Sequence, residues 1–137
     1  MTKVRKIVCL IFVLSLCLST VVSAASDSAS AGIYTTISGG SNQSTQNPNL
    51  LSTTTWIKKN PDNARLRNDV ELSNGTRIYS KEMKYSGYGV TLFNKNFALY
   101  QTVDNTPVYA YVAHNVLQGT QSPVGYVCNT KVPITIN

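Results

Sequence analysis

The sequence predicts an all-β protein, with a single small antiparallel β-sandwich or barrel-like domain over residues 53–137. A secretory signal peptide and a flexible leader precede it. Short runs rich in Val, Ile, Thr, Tyr and Phe recur along residues 53–137, and Asn, Gly, Asp and Pro separate them. This spacing is typical of short antiparallel strands, and it contains no amphipathic helical pattern. A segment of this length is sufficient for one hydrophobic core.

Residues 1–24 have the pattern of a cleavable secretory signal peptide. Lys3, Arg5 and Lys6 precede the apolar run Ile7–Leu18, and the segment ends in the small-residue cleavage site 22–24. The apolar segment is shorter than the roughly 20 residues that span a bilayer, so we expect cleavage rather than anchoring. We therefore predict a secreted, extracellular protein that is not integral to a membrane after cleavage.

Cleavage changes both the charge and the cysteine content of the chain. It removes three basic residues and no acidic ones, which lowers the formal net charge from +6 to +3. This mild positive charge favours anionic surfaces and is too small to indicate nucleic acid binding. Cys128 is then the one cysteine left of three, so an internal disulfide is excluded. An exported domain without disulfides suits a Gram-positive bacterium better than an animal.

The segment after the signal peptide, residues 25–52, is rich in Ser, Ala, Gly, Asn, Gln and Thr. The stretch Ser38–Ser44 contains almost nothing that a core could bury. We therefore predict a flexible leader over residues 25–52, with the folded domain starting near Thr53.

Several strands are predicted within the domain. Over residues 65–73 apolar residues alternate with charged ones, and Asn68 is the polar exception on the apolar face. Pro133 places the last strand at a sheet edge, because proline cannot donate a ladder hydrogen bond. The further predicted strands are Gly89–Phe93 and Phe97–Val103 around a turn at residues 94–96, then Val108–Val116, Val124–Cys128 and Val132–Ile136.

The turn Asn74-Gly75 predicts a hairpin that starts with the 65–73 segment. A three-residue loop with Gly75 in the left-handed conformation pairs Val70 with Ile78 and Glu71 with Arg77. This register keeps apolar residues together and sets opposite charges side by side, so we prefer it to a two-residue loop.

The residues that could carry chemistry are few. A Cys128–His114 dyad requires the two to be strand neighbours, and the residues near Cys128 offer one positive charge, Lys131, to lower its pKa. We therefore interpret both as structural and predict no enzyme activity. We also predict no metal site and no cofactor, because the acidic residues are scattered. Asp69 and Glu71 share a strand face with Arg67 and Arg77, which favours ion pairing.

Tyrosines are the best indication of function, because their rings give a rigid apolar surface with a polar tip. Tyr109 and Tyr111 share the strand face opposite Val108, and Tyr85 and Tyr88 flank a glycine-containing turn. These rings also suit a sandwich core or edge. We predict a binding site formed by Tyr85, Tyr88, Tyr109, Tyr111, Lys58 and Lys59. Among the basic residues, the four expected to favour anionic targets are Lys58, Lys59, Arg65 and Lys84.

Three functions follow, in order of preference. The first is a secreted, non-enzymatic binding protein that acts at a cell surface or on an extracellular partner, either a protein or a cell-wall glycan. The second is a secreted antimicrobial or toxin-like protein, which a killing assay distinguishes from the first. In general character the chain is similar to small exported β-rich proteins of Gram-positive bacteria, some of them bacteriocin-like. The third is a small cysteine hydrolase using Cys128 and His114.

Overall fold

The computed structural model describes residues 24–99, 107–118 and 124–135, and throughout these residues the protein is all-β. One short 3-10 turn, Gly32–Tyr34, interrupts the strands. The eight strands of the described residues are β1 (Ala24–Ser30), β2 (Thr36–Gln43), β3 (Leu50–Ile57), β4 (Arg65–Ser73), β5 (Ile78–Tyr88), β6 (Leu92–Ala98), β7 (Val108–Leu117) and β8 (Val124–Ile134).

The strands form two antiparallel sheets of four strands each. The first sheet has the order β1-β2-β3-β6, and the second has the order β5-β4-β7-β8. The predicted all-β antiparallel class is therefore confirmed. Among the described strands both sheets end in edge strands, so neither is closed as the barrel-like alternative requires.

The inner faces of the two sheets pack against each other, and the core between them has three successive zones along the strands. At one end an apolar cluster includes Ile37, Leu66 and Val116, and at the other end a second cluster includes Leu51 and Val112. Between them, strands β2, β3, β4, β7 and β8 each place polar or small residues on the inner face. These buried residues are Gly39, Ser41, Thr53, Thr55, Asn68, His114 and Thr130. The core is therefore apolar at both ends and polar in the middle.

The prediction of a flexible leader over residues 25–52 is wrong for the part of the chain that the structure describes. Strands β1 and β2 and the start of β3 occupy this segment, and β2 pairs with both β1 and β3. The inward residues of β2 after Ile37 are Gly39, Ser41 and Gln43, which are small or polar yet buried. Gly39 lies against the His114 ring, Ser41 bonds the Thr130 hydroxyl and Gln43 bonds the backbone of Thr135. Because these neighbours are polar, the segment lacks the apolar alternation that marks a strand.

The 65–73 segment is the strand β4, and its predicted pattern is confirmed. Leu66, Val70 and Leu72 are buried together with Asn68, and the intervening charged residues are partly exposed. Gly75 has a φ of 91°, so its predicted left-handed conformation is confirmed.

The predicted register of the β4–β5 hairpin is wrong. Ser73 pairs with Ile78, and an irregularity beside this pair shifts the ladder so that Glu71 pairs with Lys81 rather than Arg77. Asn74 determines this longer turn, because its Oδ1 accepts the N–H groups of Thr76 and Arg77 at 2.9 and 2.7 Å. Its own N–H donates to the Arg77 carbonyl at 3.1 Å, which closes a four-residue loop.

Two predicted turns are part of continuous strands. Strand β6 runs through residues 94–96, because these residues pair with β3 and the Thr53 hydroxyl donates to the Lys95 carbonyl at 3.0 Å. Strand β8 likewise joins the two predicted segments on either side of Thr130. The prediction that Pro133 belongs to an edge strand is confirmed, since β8 ends the second sheet.

The remaining predictions fall outside the described residues. They are the signal peptide over residues 1–24, of which the structure describes Ala24 alone, and the ends of two predicted strands, residues 100–103 and 136. Across residues 24–99, 107–118 and 124–135 no helix has the length and apolar character needed to cross a membrane.

Candidate binding face on the second sheet

The four tyrosines of the predicted site lie on the outer face of the second sheet. Directly opposed residues in antiparallel strands point to the same face of the sheet. Each of these tyrosines is directly opposite a residue of β4 whose side chain points outwards. Tyr85 and Tyr88 oppose Arg67 and Arg65 of β4. Across β4, Tyr111 opposes Glu71 and Tyr109 opposes Ser73. The sheet therefore brings together side chains that are more than twenty residues apart in sequence.

Basic side chains of the same sheet stack on these rings. The Arg65 guanidinium lies 4.6 Å from the ring centre of Tyr85 and 5.1 Å from that of Tyr88. The Lys131 ammonium lies 4.2 Å from the ring centre of Tyr109 and 5.4 Å from that of Tyr111. Such contacts hold the rings in fixed orientations and are worth about 0.5–1 kcal/mol each where exposed.

A groove of about 740 Å³ crosses the middle of this outer face. Tyr111 and Lys131 line one side of it, and Met83 of β5 lines another. The small side chain of Ala113 lies between the larger Tyr111 and Asn115 along β7, which leaves the space open. The volume is within the range of small-ligand sites, which combine an apolar lining with a few polar groups.

Charged and polar groups in and beside the groove form ion pairs and hydrogen bonds with one another. Arg67 Nε lies 2.8 Å from Asp69 Oδ1, and Lys81 Nζ lies 3.1 Å from Glu71 Oε2. Asn115 Nδ2 donates to the second Asp69 oxygen at 3.4 Å. The predicted ion pairing is therefore confirmed for Asp69, which pairs with Arg67. Glu71 pairs with Lys81, which occupies the position opposite Glu71 that was predicted for Arg77. The Lys81–Glu71 pair is exposed and contributes little stability, so its effect is to orient the two groups, whereas the Arg67–Asp69 pair is partly buried.

The two lysines of the predicted site do not lie on this face. Lys58 and Lys59 are exposed in the connection between β3 and β4. Of the other basic residues named from the sequence, Arg65 is on the face, whereas Lys84 donates to the Asn96 carbonyl of β6 at 2.7 Å.

Of the predicted site residues, Tyr111 lines the groove, and sequence reasoning did not identify other lining residues such as Met83, Ala113, Asn129 and Lys131. Asn129 and Lys131 were assigned to a break between two strands, and their place beside β7 depends on β8 being continuous. The signal that could have found them is in the sequence: Asn129 and Lys131 alternate with Cys128, Thr130 and Val132, as outward and inward residues do along one continuous strand.

Cys128 and His114 are direct partners on β8 and β7, so the strand neighbourhood that a dyad needs is present. Both are buried, and burial lowers the pKa of His114 to about 4 despite an opposing effect of Asp27. Burial, reinforced by Asp27, raises the pKa of Cys128 to about 11. Both shifts favour the neutral thiol and the neutral imidazole. A nucleophilic cysteine needs the opposite, and so the pair gives no support to a hydrolase.

His114 is instead the centre of a buried hydrogen-bond chain. The direction of this chain follows from the Lys95 carbonyl oxygen, which can only accept. Thr53 donates its proton there at 3.0 Å and accepts from Asn68 Nδ2 at 2.8 Å. Asn68 Oδ1 accepts the hydroxyl proton of Thr55. Thr55 therefore has no proton left for His114, and it accepts from the Nδ1–H of the imidazole at 2.9 Å.

The other side of the imidazole completes the chain. With its proton on Nδ1, neutral His114 accepts at Nε2 from the Thr130 hydroxyl at 2.9 Å. Thr130 in turn accepts from the hydroxyl of Ser41 in the first sheet at 2.6 Å. Both ring nitrogens are satisfied, and the two sheets are connected through the ring, which is a structural role.

The environment of Cys128 predicts very slow alkylation of its thiol. A pKa of about 11 lowers the thiolate fraction at neutral pH about a hundredfold relative to a thiol of pKa 9. Intact-mass measurement during iodoacetamide treatment of a chain beginning at Ala25, in which Cys128 is the one cysteine, is expected to show modification at the rate of unfolding. Guanidinium-denatured protein serves as the control, and equal rates for native and denatured protein would contradict the buried position.

The described residues contain no group of three or more His, Cys, Asp or Glu side chains that could hold a metal ion. The candidate site is the groove, lined by Tyr111, together with the other three tyrosines of the outer face. Comparison of the chain with protein families, with curated proteins and with solved structures finds no match.

Proposed function

We propose that this protein is a secreted, non-enzymatic β-sandwich that binds cell-wall glycan through the outer face of its second sheet. The groove of about 740 Å³ beside Tyr111 and Lys131 is the observation that supports this most strongly. Three tyrosines of the face have at least a third of their surface exposed: 41% for Tyr85, 53% for Tyr88 and 36% for Tyr111. Exposed aromatic rings on a rigid sheet are typical of binding surfaces.

The chemistry of the groove suits a sugar chain. A sugar ring has an apolar face that stacks on an aromatic ring and hydroxyl groups at its rim that hydrogen-bond. Tyr111 supplies the ring, and Asp69, Glu71 and Asn129 supply acceptors and donors around it. The groove and the face around it carry four basic residues against three acidic ones, a small positive excess that favours an anionic polymer: Arg65, Arg67, Lys81 and Lys131 against Asp69, Glu71 and Glu82.

Replacing Tyr111 with alanine is expected to weaken binding about tenfold, because it removes the stacking surface at the groove. The measurement is co-sedimentation of the purified protein with insoluble cell-wall glycan stripped of protein. Trp56→Ala is the matched control, since Trp56 is 40% exposed on β3 of the first sheet. It is expected to bind as the wild type does.

Two results would contradict the proposal. One is unchanged binding by Tyr111→Ala in a variant that retains its circular dichroism spectrum. The other is retention of the protein on intact cell surfaces and not on the stripped glycan, which would indicate a protein partner instead.

A further inference from the structure

Strand β5 is an exposed edge of unusual composition. It ends the second sheet, and within the described part of the chain its one ladder partner is β4. Its large apolar residues are strongly exposed, at 50% for Ile78, 56% for Met83 and 53% for Tyr88. A long edge strand with exposed apolar side chains is a template for pairing with another strand.

The sequence of β5 is complementary to itself. Met83 is the midpoint of Ile78–Tyr88, so antiparallel pairing of two copies over the full strand sets Met83 opposite Met83. Glu82 then opposes Lys84 of the second copy, and Lys81 opposes Tyr85. At the ends of the strand, Ile78 opposes Tyr88. Each pair is an ion pair, a cation–aromatic contact or an apolar contact of the kind that stabilises neighbouring strands.

Displaced registers lose this complementarity. Centring the pair on Glu82 sets the two Glu82 carboxylates opposite each other, and centring it on Lys84 does the same with two ammonium groups. Like charges in directly opposed positions destabilise a sheet. The charge pattern therefore favours the register centred on Met83.

The irregularities of β5 have the same symmetry. Its pairing with β4 shifts once beside Ile78 and once before Tyr88, so the extra residues lie at position 79 and at positions 86–87. These positions are equidistant from Met83, to within one residue. The outward side chains Ile78, Lys81, Met83, Tyr85 and Tyr88 consequently meet their counterparts on the same face of both copies.

We propose that two copies of this chain pair through β5 in antiparallel register about Met83, which joins their second sheets into one eight-stranded sheet. The two-fold axis is perpendicular to the sheet, as an isologous contact requires. Because the outer faces become continuous, the two grooves of the dimer lie on the same side. The pairing is argued from the edge of the sheet and does not require glycan, although Glu82 and Met83 of this edge also line the groove.

Cysteine cross-linking tests the register directly. Met83→Cys places two thiols opposite each other, and mild oxidation of the purified exported protein is expected to give a covalent dimer on a non-reducing gel. Glu82→Cys and Lys84→Cys are the matched controls, because each faces a different residue of the second copy. Their disulfides are expected to form about tenfold more slowly. Equal rates for all three variants, or faster linking in a control, would overturn the proposed register.

Charge reversal tests the pairing without a covalent bond. In Glu82→Lys each new lysine faces Lys84 of the second copy, and we expect the dimer dissociation constant to rise about tenfold. The exchange Glu82→Lys with Lys84→Glu restores opposite charges and is expected to restore the wild-type mass in light scattering. A monomeric wild type at its solubility limit, or a single variant that dimerises like the wild type, would overturn the proposal. A monomeric wild type that still co-sediments with the stripped glycan would overturn the pairing alone.

Discussion

Replacing Gly39 with alanine is expected to destabilise the protein by about 3 kcal/mol. Gly39 lies on the inner face of β2, and a Cβ atom built there comes within 2.3 Å of two atoms of the His114 ring. The ring cannot move aside, because both of its nitrogens are hydrogen-bonded to threonines. The substitution must therefore either separate the sheets or break the hydrogen-bond chain.

Gly40→Ala is the matched control for this substitution. Gly40 is the next residue on β2, and a Cβ atom there has its nearest neighbour, the Ala25 carbonyl oxygen, at 3.9 Å. Chemical denaturation of the two variants is expected to show a loss at position 39 and a free energy of unfolding within about 1 kcal/mol of wild type at position 40. Equal losses at the two positions would mean that Gly39 does not contact the ring.

The free energy of unfolding is expected to fall by about 2 kcal/mol between pH 7 and pH 5. His114 is the single histidine of the chain, and burial lowers its pKa in the folded protein to about 4. The unfolded chain, with an ordinary histidine pKa near 6.5, binds a proton in this range and the folded protein does not. The stabilisation is therefore complete above pH 6.5 and is lost as the pH falls towards 4.

Two measurements check this pH dependence. Denaturation at a series of pH values gives the loss for the wild type, and the same series for His114→Gln is expected to be nearly flat down to pH 5. Titration of the imidazole C–H resonance by NMR reports the pKa in the folded wild type. A folded-state pKa near 6.5 would contradict the buried neutral ring.

The parts of the fold that the sequence predicts are those in which a strand alternates apolar and polar residues. Strand β4 shows this pattern, and so does β7, where Val108 and Val112 face inwards. Strand β2 does not, because the middle layer of the core is polar and its inward residues are Gly39 and Ser41. A buried polar layer makes an inner strand resemble a linker, since burial there depends on hydrogen bonds from the other sheet.

The candidate site was predictable to the same extent. The face shared by Tyr109 and Tyr111 follows from alternation within one strand. Their association with Tyr85 and Tyr88 requires the order of β5, β4 and β7 in the sheet, which depends on contacts distant in sequence. Lys131 was assigned to a break in the last strand, and its stacking on Tyr109 requires the register between β7 and β8.

Chemical-shift mapping with soluble cell-wall glycan fragments tests the proposed binding face most directly. Amide signals of isotope-labelled protein are recorded as the fragments are added. Chemical-shift changes are expected to concentrate on residues of the outer face of the second sheet, around Glu71, Tyr111 and Lys131. The amide signals of Thr54 and Trp56 in the first sheet are expected to stay unchanged. Shifts that concentrate on the first sheet, or none at saturating glycan, would contradict binding at the groove.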